Sequence, residues 1–514
     1  MISFLLDKLK PSKNKKQNNL NSQLTEKKVS KNLNVNLEII RNTFGESNDI
    51  VIHKFNISNE YETQAAIIYI DGLVNKDMIL ESVLKPLVTN YENKDELPTN
   101  IKTIESKLIC SLDSIHLSLL NEIIDETLNG NTILIVDGLD QALSISSQGC
   151  ENRGVQEPKI EVNVRGPREG FSELLSLNMS LIRRKIKSPK LTFKNFKVGR
   201  VTKTNVSIAY IKDIAENSLV EEVEGRISGI KTDSILESGY IEQLIEDAPK
   251  SLFPTIANTE RPDVVAAKLL EGKVAIITEG TPFVLTVPML FVENFQKAED
   301  YYSRAFLSSL IINLRFIGFA LSLLIPAIYV AFTSFHQEAI PTPLLISMAI
   351  SKEGVPFPAV VEALLMITTF EILREAGIRL PRPIGQAVSI VGALVIGEAA
   401  VSAGLVSAPM VIVVAFTAIT SFMITPLYDV LSILRILFIL SSSFMGIVGI
   451  SASLLIVLIH LASLRSFGIP YLFPLAPVEL KDLKEIFIRT PIKSKDNYSY
   501  YNSSDKKKQG DLDD

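Results

Sequence analysis

Cysteine and histidine are scarce in this chain of 514 residues, which has two of the first and four of the second. Cys110 and Cys150 cannot by themselves build a disulfide framework or a tetrahedral zinc site, and they point to a reducing compartment. One of the four histidines, His460, sits inside an apolar run, so little is left for metal ligation or acid–base chemistry. The chain also lacks a dominant sign of charge. Its 52 basic and 57 acidic residues give a net charge of −5, without the basic excess of a nucleic-acid binder. No HExxH, GxSxG elbow or His/Cys cluster occurs. The expectation is a protein that is not an enzyme and carries no cofactor or metal. A secretory signal is not expected either: Met1–Lys10 is too short for an apolar signal core, and Lys/Asn-rich sequence follows to about Asn36.

What is present is uneven. A composition 47% hydrophobic and 21% charged, with mean hydropathy +0.25, is too apolar for an ordinary soluble protein. It is also too charged for a chain wholly in lipid. Charges are dense to about Arg304, sparse from Phe316 to His460, and dense again from Lys481. The chain therefore divides into a polar part and a membrane part.

The polar part contains a duplication. Ala66-Ile-Ile-Tyr69-Ile-Asp71-Gly-Leu73 reads like Ser207-Ile-Ala-Tyr210-Ile-Lys-Asp213-Ile214, and Gly130–Leu143 reads like Gly272–Leu285. Tyr69 to Tyr210 is 141 residues, and Gly138 to Gly280 is 142. Two independent matches at nearly one offset make an internal repeat. Asp137-Gly138 and Glu279-Gly280 lie between apolar runs, where a positive-φ glycine suits a tight hairpin. The expected fold class is an α+β cytoplasmic region of two duplicated subdomains followed by an all-α multi-pass membrane domain. The expected boundaries are a disordered basic tail at 1–35, subdomain 1 at 36–148, a connecting segment at 149–189, subdomain 2 at 190–300, a membrane domain at 301–470 and a cytoplasmic tail at 471–514. The connecting segment carries Val164-Arg-Gly-Pro-Arg-Glu-Gly-Phe171 and a helix through Ile186 that Pro167 would open. Phe171, Leu174, Leu175, Asn178, Leu181 and Ile182 make its mostly apolar face, and Arg183, Arg184 and Lys185 complement the helix dipole. Arg165, Arg168 and Glu169 are either surface residues of this capped connector or a contact coupling subunits.

About 20 apolar residues cross a bilayer. Candidate spans are Phe316–Phe335, Val355–Leu373, Ile384–Val406, Met410–Ile424 and Leu434–Leu464, the last as one tilted helix or two, which gives five or six. Ile340–Ser351, with Pro341 and Pro343, reads as broken or re-entrant. Lys/Arg placement puts the N-terminal region in the cytoplasm. Intramembrane ionisable groups are functional candidates: Glu362, Glu371 and Glu398, with Arg374 a partner for Glu371 three residues on. Val388, Val391, Val395, Glu398 and Ser402 follow a 3-4 spacing on one helix face, displaced from a stripe of small residues (Gly385, Ser389, Gly392, Ala399, Ala403). Around a shared axis, such a face makes an apolar constriction with a carboxylate ring, which gates by dewetting and favours cations. The same pattern also fits valines facing lipid and Glu398 bonded within the bundle.

Val164–Phe171, Ile340-Pro-Thr-Pro-Leu344, Glu353-Gly-Val-Pro-Phe-Pro358, Phe370-Glu-Ile-Leu-Arg-Glu-Ala-Gly377, Arg379–Ser389 and Leu464-Arg-Ser-Phe-Gly468 together resemble the GerA family. Within it, the chain looks like the A subunits of nutrient germinant receptors of spore-forming bacteria, from about Asn36 to Glu479. The resemblance implies a multi-pass protein of the spore inner membrane, working with a transporter-like B subunit that binds the nutrient and a lipoprotein C subunit. It further implies a homo-oligomer, a pentamer, forming a nutrient-gated cation channel that starts germination. A secondary transporter is the alternative, suggested by the Pro341/Pro343 segment and the buried carboxylates. Transporters usually repeat within their membrane part, whereas the duplication found here is confined to the polar part.

Overall fold

The computed structural model describes residues 27–57, 63–89, 101, 104–105, 113–149, 157–158, 161, 163, 165–380, 395–478, 483 and 486–489. These form two compact units. One holds the described residues up to Ile245 together with Ile256–Val287; the other holds Glu246–Thr255 and the described residues from Pro288 onward.

The first unit contains two five-stranded antiparallel sheets built to one plan. Strands β1 (Ile50–Asn56), β2 (Gln64–Ile70), β3 (Ser114–Leu117), β4 (Thr132–Val136) and β5 (Ala142–Ile145) lie in the order β1-β2-β4-β5-β3. Strands β6 (Leu191–Val198), β7 (Thr204–Ile211), β8 (Ala257–Thr259), β9 (Val274–Thr278) and β10 (Val284–Val287) lie in the order β6-β7-β9-β10-β8. In both sheets the penultimate strand in sequence sits at the centre and is buried along its whole length, which explains the unbroken apolar runs Thr132–Val136 and Val274–Thr278. Helices α1 (Leu33–Phe44) and α2 (Leu120–Leu128) cover one face of the first sheet, where Leu37, Ile40, Ile123 and Leu128 meet Ala66, Ile68, Ile133 and Ile135. Successive residues of the same strands (Ala65, Ile67, Leu134) face the other way, onto Ile79, Val83 and Leu87. In the second copy, α3 (Leu175–Lys185) and α6 (Pro262–Leu270) pack over Ala209, Ile211, Ala275 and Ile277. Between them in sequence run α4 (Asn217–Ser228) and α5 (Ser238–Ile245).

Hydrogen bonds repeat as closely as the strands. A fully buried asparagine closes each entry loop: Asn36 Oδ1 accepts from Ser30 N (2.9 Å) while its Nδ2 donates to Ser30 O (2.6 Å). Asn178 does the same with Ser172 at 2.8 and 2.6 Å. Gly138 N donates to Lys31 O, and Gly280 N to Glu173 O, both at 2.8 Å. Those two glycines have φ of +87° and +90°, a backbone state in which a side chain is strained.

These facts move several expected boundaries. The first copy begins before residue 36, because Lys28 bridges Leu119 and Val29 is buried. The remainder of the expected tail, 1–26, lies outside the described residues, as do Cys110 and Cys150. The amphipathic helix placed in a connector is α3, the second copy's counterpart of α1. It starts at Leu175 and not at Pro167, so Phe171 reaches the core (6% exposed) from a loop. The second copy's last strand ends at Val287, and residues from Pro288 belong to the other unit.

The second unit is helical: α7 (Ala305–Ser334), α8 (Thr342–Lys352), α9 (Ala359–Arg379), a helix over 395–402, α10 (Ala408–Ser421), α11 (Tyr428–Met445) and α12 (Ile447–Ser463). Among the described residues, two stretches, Ala305–Ser334 and Thr425–Met445, are long and apolar enough to cross a membrane; Ala408–Ser421 and Ile447–Ser463 are shorter apolar helices. The Leu434–Leu464 run is two helices broken at Gly446, whose φ is +59°. Ile340–Ser351 is mostly the short helix α8, none of whose residues is buried. Part of the expected C-terminal tail is packed: Ile486 is buried, Phe487 O accepts from Asn313 Nδ2 (2.8 Å) and Arg489 N donates to Ser309 Oγ (2.9 Å).

Candidate functional site

The loop before α3 does not gather Arg165, Arg168 and Glu169 into one cluster. Arg165 is exposed, Arg168 pairs with Glu157 (3.2 Å) at the surface, and Glu169 pairs with Lys185 (2.9 Å). What fixes this loop is a residue the sequence reading passed over. Arg261, 3% exposed, donates to Pro167 O (3.1 Å) and Glu161 O (3.3 Å) and pairs with Asp263 (2.8 Å). Burial beside this knot pushes the Glu161 carboxyl above its ordinary range, although Thr259 Oγ1 donates to it at 2.6 Å.

Arg183 does more than complement the helix dipole from the last turn of α3. It is fully buried and joins the two copies: its Nε and Nη2 donate to the two oxygens of Asp49 (2.9 and 3.0 Å), and it also donates to Ser188 O and Leu191 O. Its guanidinium stands 5.2 Å from the Phe193 ring centroid. The loop carrying Asp49 adds Asn48 N to Phe193 O (2.9 Å) and Phe193 N to Ser47 Oγ (3.1 Å). Nothing local sets it apart within the Arg183-Arg184-Lys185 run; only its burial does, because a buried charge persists only with partners.

In the helical unit, two of the three expected carboxylates are built into the helix packing. Glu362, fully buried in the first turn of α9, accepts at Oε2 from both Ser407 N (2.8 Å) and Ser407 Oγ (2.7 Å). Ser407 is the N-cap of α10, so the carboxylate sits where that helix presents free N–H groups and its positive dipole end. Lys352 Nζ lies 3.7 Å from Glu362 Oε1. Glu371 pairs with Arg374 (3.0 Å), as the spacing predicted, and accepts from Ser432 Oγ (2.7 Å). It also lies 3.6 Å from Arg435, which is 1% exposed. Arg435 went unnoticed inside the last apolar run. It donates to Ser322 O (3.1 Å) on α7 and Ser421 Oγ (2.6 Å) on α10, so one guanidinium ties α7, α9, α10 and α11 together.

Glu398 is different. On the 395–402 helix, Gly397 and Ala400 face the chain's own core, with a Cβ built on Gly397 falling 3.6 Å from Val411. Ala399 and Ala403 of the expected small-residue stripe are exposed instead. Val395 (55% exposed), Glu398 and Ser402 follow one another along the outward face, and Glu398 forms no ion pair among the described residues. Val388 and Val391 lie outside the described residues, as do Gly385, Ser389 and Gly392.

The described residues thus make a duplicated α+β unit and an apolar helical unit in which buried charged groups serve as ties between helices. The chain belongs to the GerA family: the profile described as "Bacillus/Clostridium GerA spore germination protein" matches residues 38–499. It is 48% identical over 469 residues to "Spore germination protein KA" of Bacillus subtilis (strain 168), covering 90% of this chain and 85% of that one. It is 43% identical over 465 residues to "Uncharacterized membrane protein YfkQ" of the same organism, covering 90% of each. Among solved structures, the N-terminal domain of the A subunit of the Bacillus megaterium spore germinant receptor GerK3 matches at 38% identity, covering 52% of this chain and 98% of that one with a TM-score of 0.42.

Proposed function

We propose that the chain is the A subunit of a spore nutrient germinant receptor. In this reading it is a multi-pass membrane protein with its N-terminal region in the cytoplasm, it works with a transporter-like B subunit and a lipoprotein C subunit, and it performs no catalysis. Membership of a spore germination family over most of the chain supports the receptor role, and two membrane-length helices support the location. Copies of the chain assemble about an axis, as a pentamer, with the 395–402 helix facing the centre. The observation that carries the channel reading is the outward line of Val395, Glu398 and Ser402, one apolar residue followed by two polar ones, on a helix already packed through its opposite face. A ring of valines dewets a narrow pore and a ring of carboxylates draws cations through it once it widens. Val388 and Val391 continue the same face by spacing. Because nutrient binds the partner, opening follows from its different affinity for the closed and open states.

Spores carrying Val395→Ala test this directly. A wider constriction releases cations and starts germination in buffer without nutrient, read as ion release and loss of optical density. Dormancy unchanged from wild type in Val391→Ala, Val395→Ala and the double variant, with the protein present at normal level, removes this face from the pore.

A further inference from the structure

The Leu464-Arg-Ser-Phe-Gly468 motif has no part in the constriction, yet hydrogen bonds from segments far away in sequence hold it in the helical unit. It forms a two-stranded hairpin, β11 (Arg465–Ser466) with β12 (Ile469–Pro470), immediately after α12. Phe467 at its tip is 4% exposed and has φ of +48°, a left-handed state rarely adopted by a bulky residue. Something must hold it there. The Asp247 carboxylate accepts from Phe467 N at 2.5 Å, and Asp247 comes from a segment more than 200 residues earlier.

That segment, Glu246–Thr255, is the one stretch of the N-terminal half that belongs to the helical unit. The residues before it end α5 and those after it begin at Ile256 and run into β8, both in the α+β unit. Along its length it is fastened at four points. Asp247 takes the hairpin tip. Ser251 Oγ lies 2.9 Å from Nε2 of His460 in the last turn of α12. Phe253, 2% exposed, packs edge-on against Phe291 with centroids 6.2 Å apart and lies 6.2 Å from the His460 ring. Thr255 O accepts from Ser466 Oγ (2.6 Å), and Ser466 Oγ in turn accepts from Met289 N (3.0 Å). His460 is thereby explained without metal or acid–base chemistry: it anchors a loop at the end of an apolar helix.

We infer that Glu246–Thr255 is a coupling strap. Its middle is seated on the hairpin and the end of α12, and its two ends continue into α5 and β8 of the second repeat, so movement of the hairpin or of the α12 terminus is delivered to that sheet, and movement of the sheet is delivered back. Two features make the seat a switchable element and not a passive loop. The strained tip relaxes if Asp247 lets go, and the grip is made of a few discrete hydrogen bonds over one buried ring, so it is either formed or broken. The strap stands on these contacts alone and does not require Val395 to line a pore.

Hydrogen exchange of the full chain in detergent, read by mass spectrometry, tests it. Ser466→Ala removes the bonds to Thr255 O and Met289 N without touching the α+β unit. It is expected to speed exchange about tenfold in α5 and β8 as well as in 464–471, while β6 and β7 stay at wild-type rates. Asp247→Ala is expected to give the same pattern, and Asp247→Asn, which keeps an acceptor for Phe467 N, to restore wild-type rates. Acceleration confined to 246–255 and the hairpin overturns the strap, and so does acceleration spread evenly over all strands of the α+β unit.

Discussion

Arg183→Ala is the substitution whose cost the structure sets most clearly. It removes two bonds to Asp49 and two to the backbone carbonyls of Ser188 and Leu191, and it leaves the Asp49 side chain, 2% exposed, without a counter-charge. Breaking one partner of a buried pair costs about 3–5 kcal/mol, most of it the penalty for stranding the other charge. At roughly 2–4 °C per kcal/mol for a unit of this size, the α+β unit should melt about 6–20 °C lower. The chain has no tryptophan, so calorimetry of the full protein in detergent is the suitable assay, with this unit's transition followed separately from that of the helices. Asp49→Leu combined with Arg183→Met should recover much of the loss, because two apolar groups of similar volume strand no charge. A fall of less than about 2 °C in the single variant, or a double variant no better than the single, would refute the reasoning.

The duplication yields a paired prediction. Asn36→Ala and Asn178→Ala each orphan the N–H and C=O of one serine, so each should destabilise by about 1–3 kcal/mol, equally within error; urea unfolding of the two variants checks it. Glu161→Gln tests the raised carboxyl. Burial favours the neutral acid in the folded state, so stability is fullest below the ordinary value of 4.5 and falls as pH rises through the raised folded value. Glutamine mimics the neutral form: it should raise the melting temperature at pH 7.5 and give no gain at pH 4, and an equal gain at both would sink the assignment.

Why some of this was legible in the chain and some was not has a physical basis. Local chemistry is written in local sequence: the repeat offset, the positive-φ glycines at 138 and 280, and the Glu371–Arg374 pair depend on neighbours within a few residues or on a copied strand, and each was found that way. Apolar runs marked the helical unit, but run length alone did not show that Gly446 breaks the last one, since a single backbone angle decides it. The helix dipole explained the position of Arg183 in its helix and said nothing of Asp49, more than a hundred residues away.

By itself, then, the sequence determined the division into a duplicated polar half and an apolar helical half, because burial periodicity and copied segments survive any rearrangement in space. Only the tertiary structure decided which charges are ties and which face is left open. Glu362, Glu371 and Glu398 look alike in the chain, yet the first two meet partners brought by other helices while Glu398 points outward. A carboxylate's role depends on what stands within a few ångströms of it, and that is set by the packing of segments that no spacing rule connects.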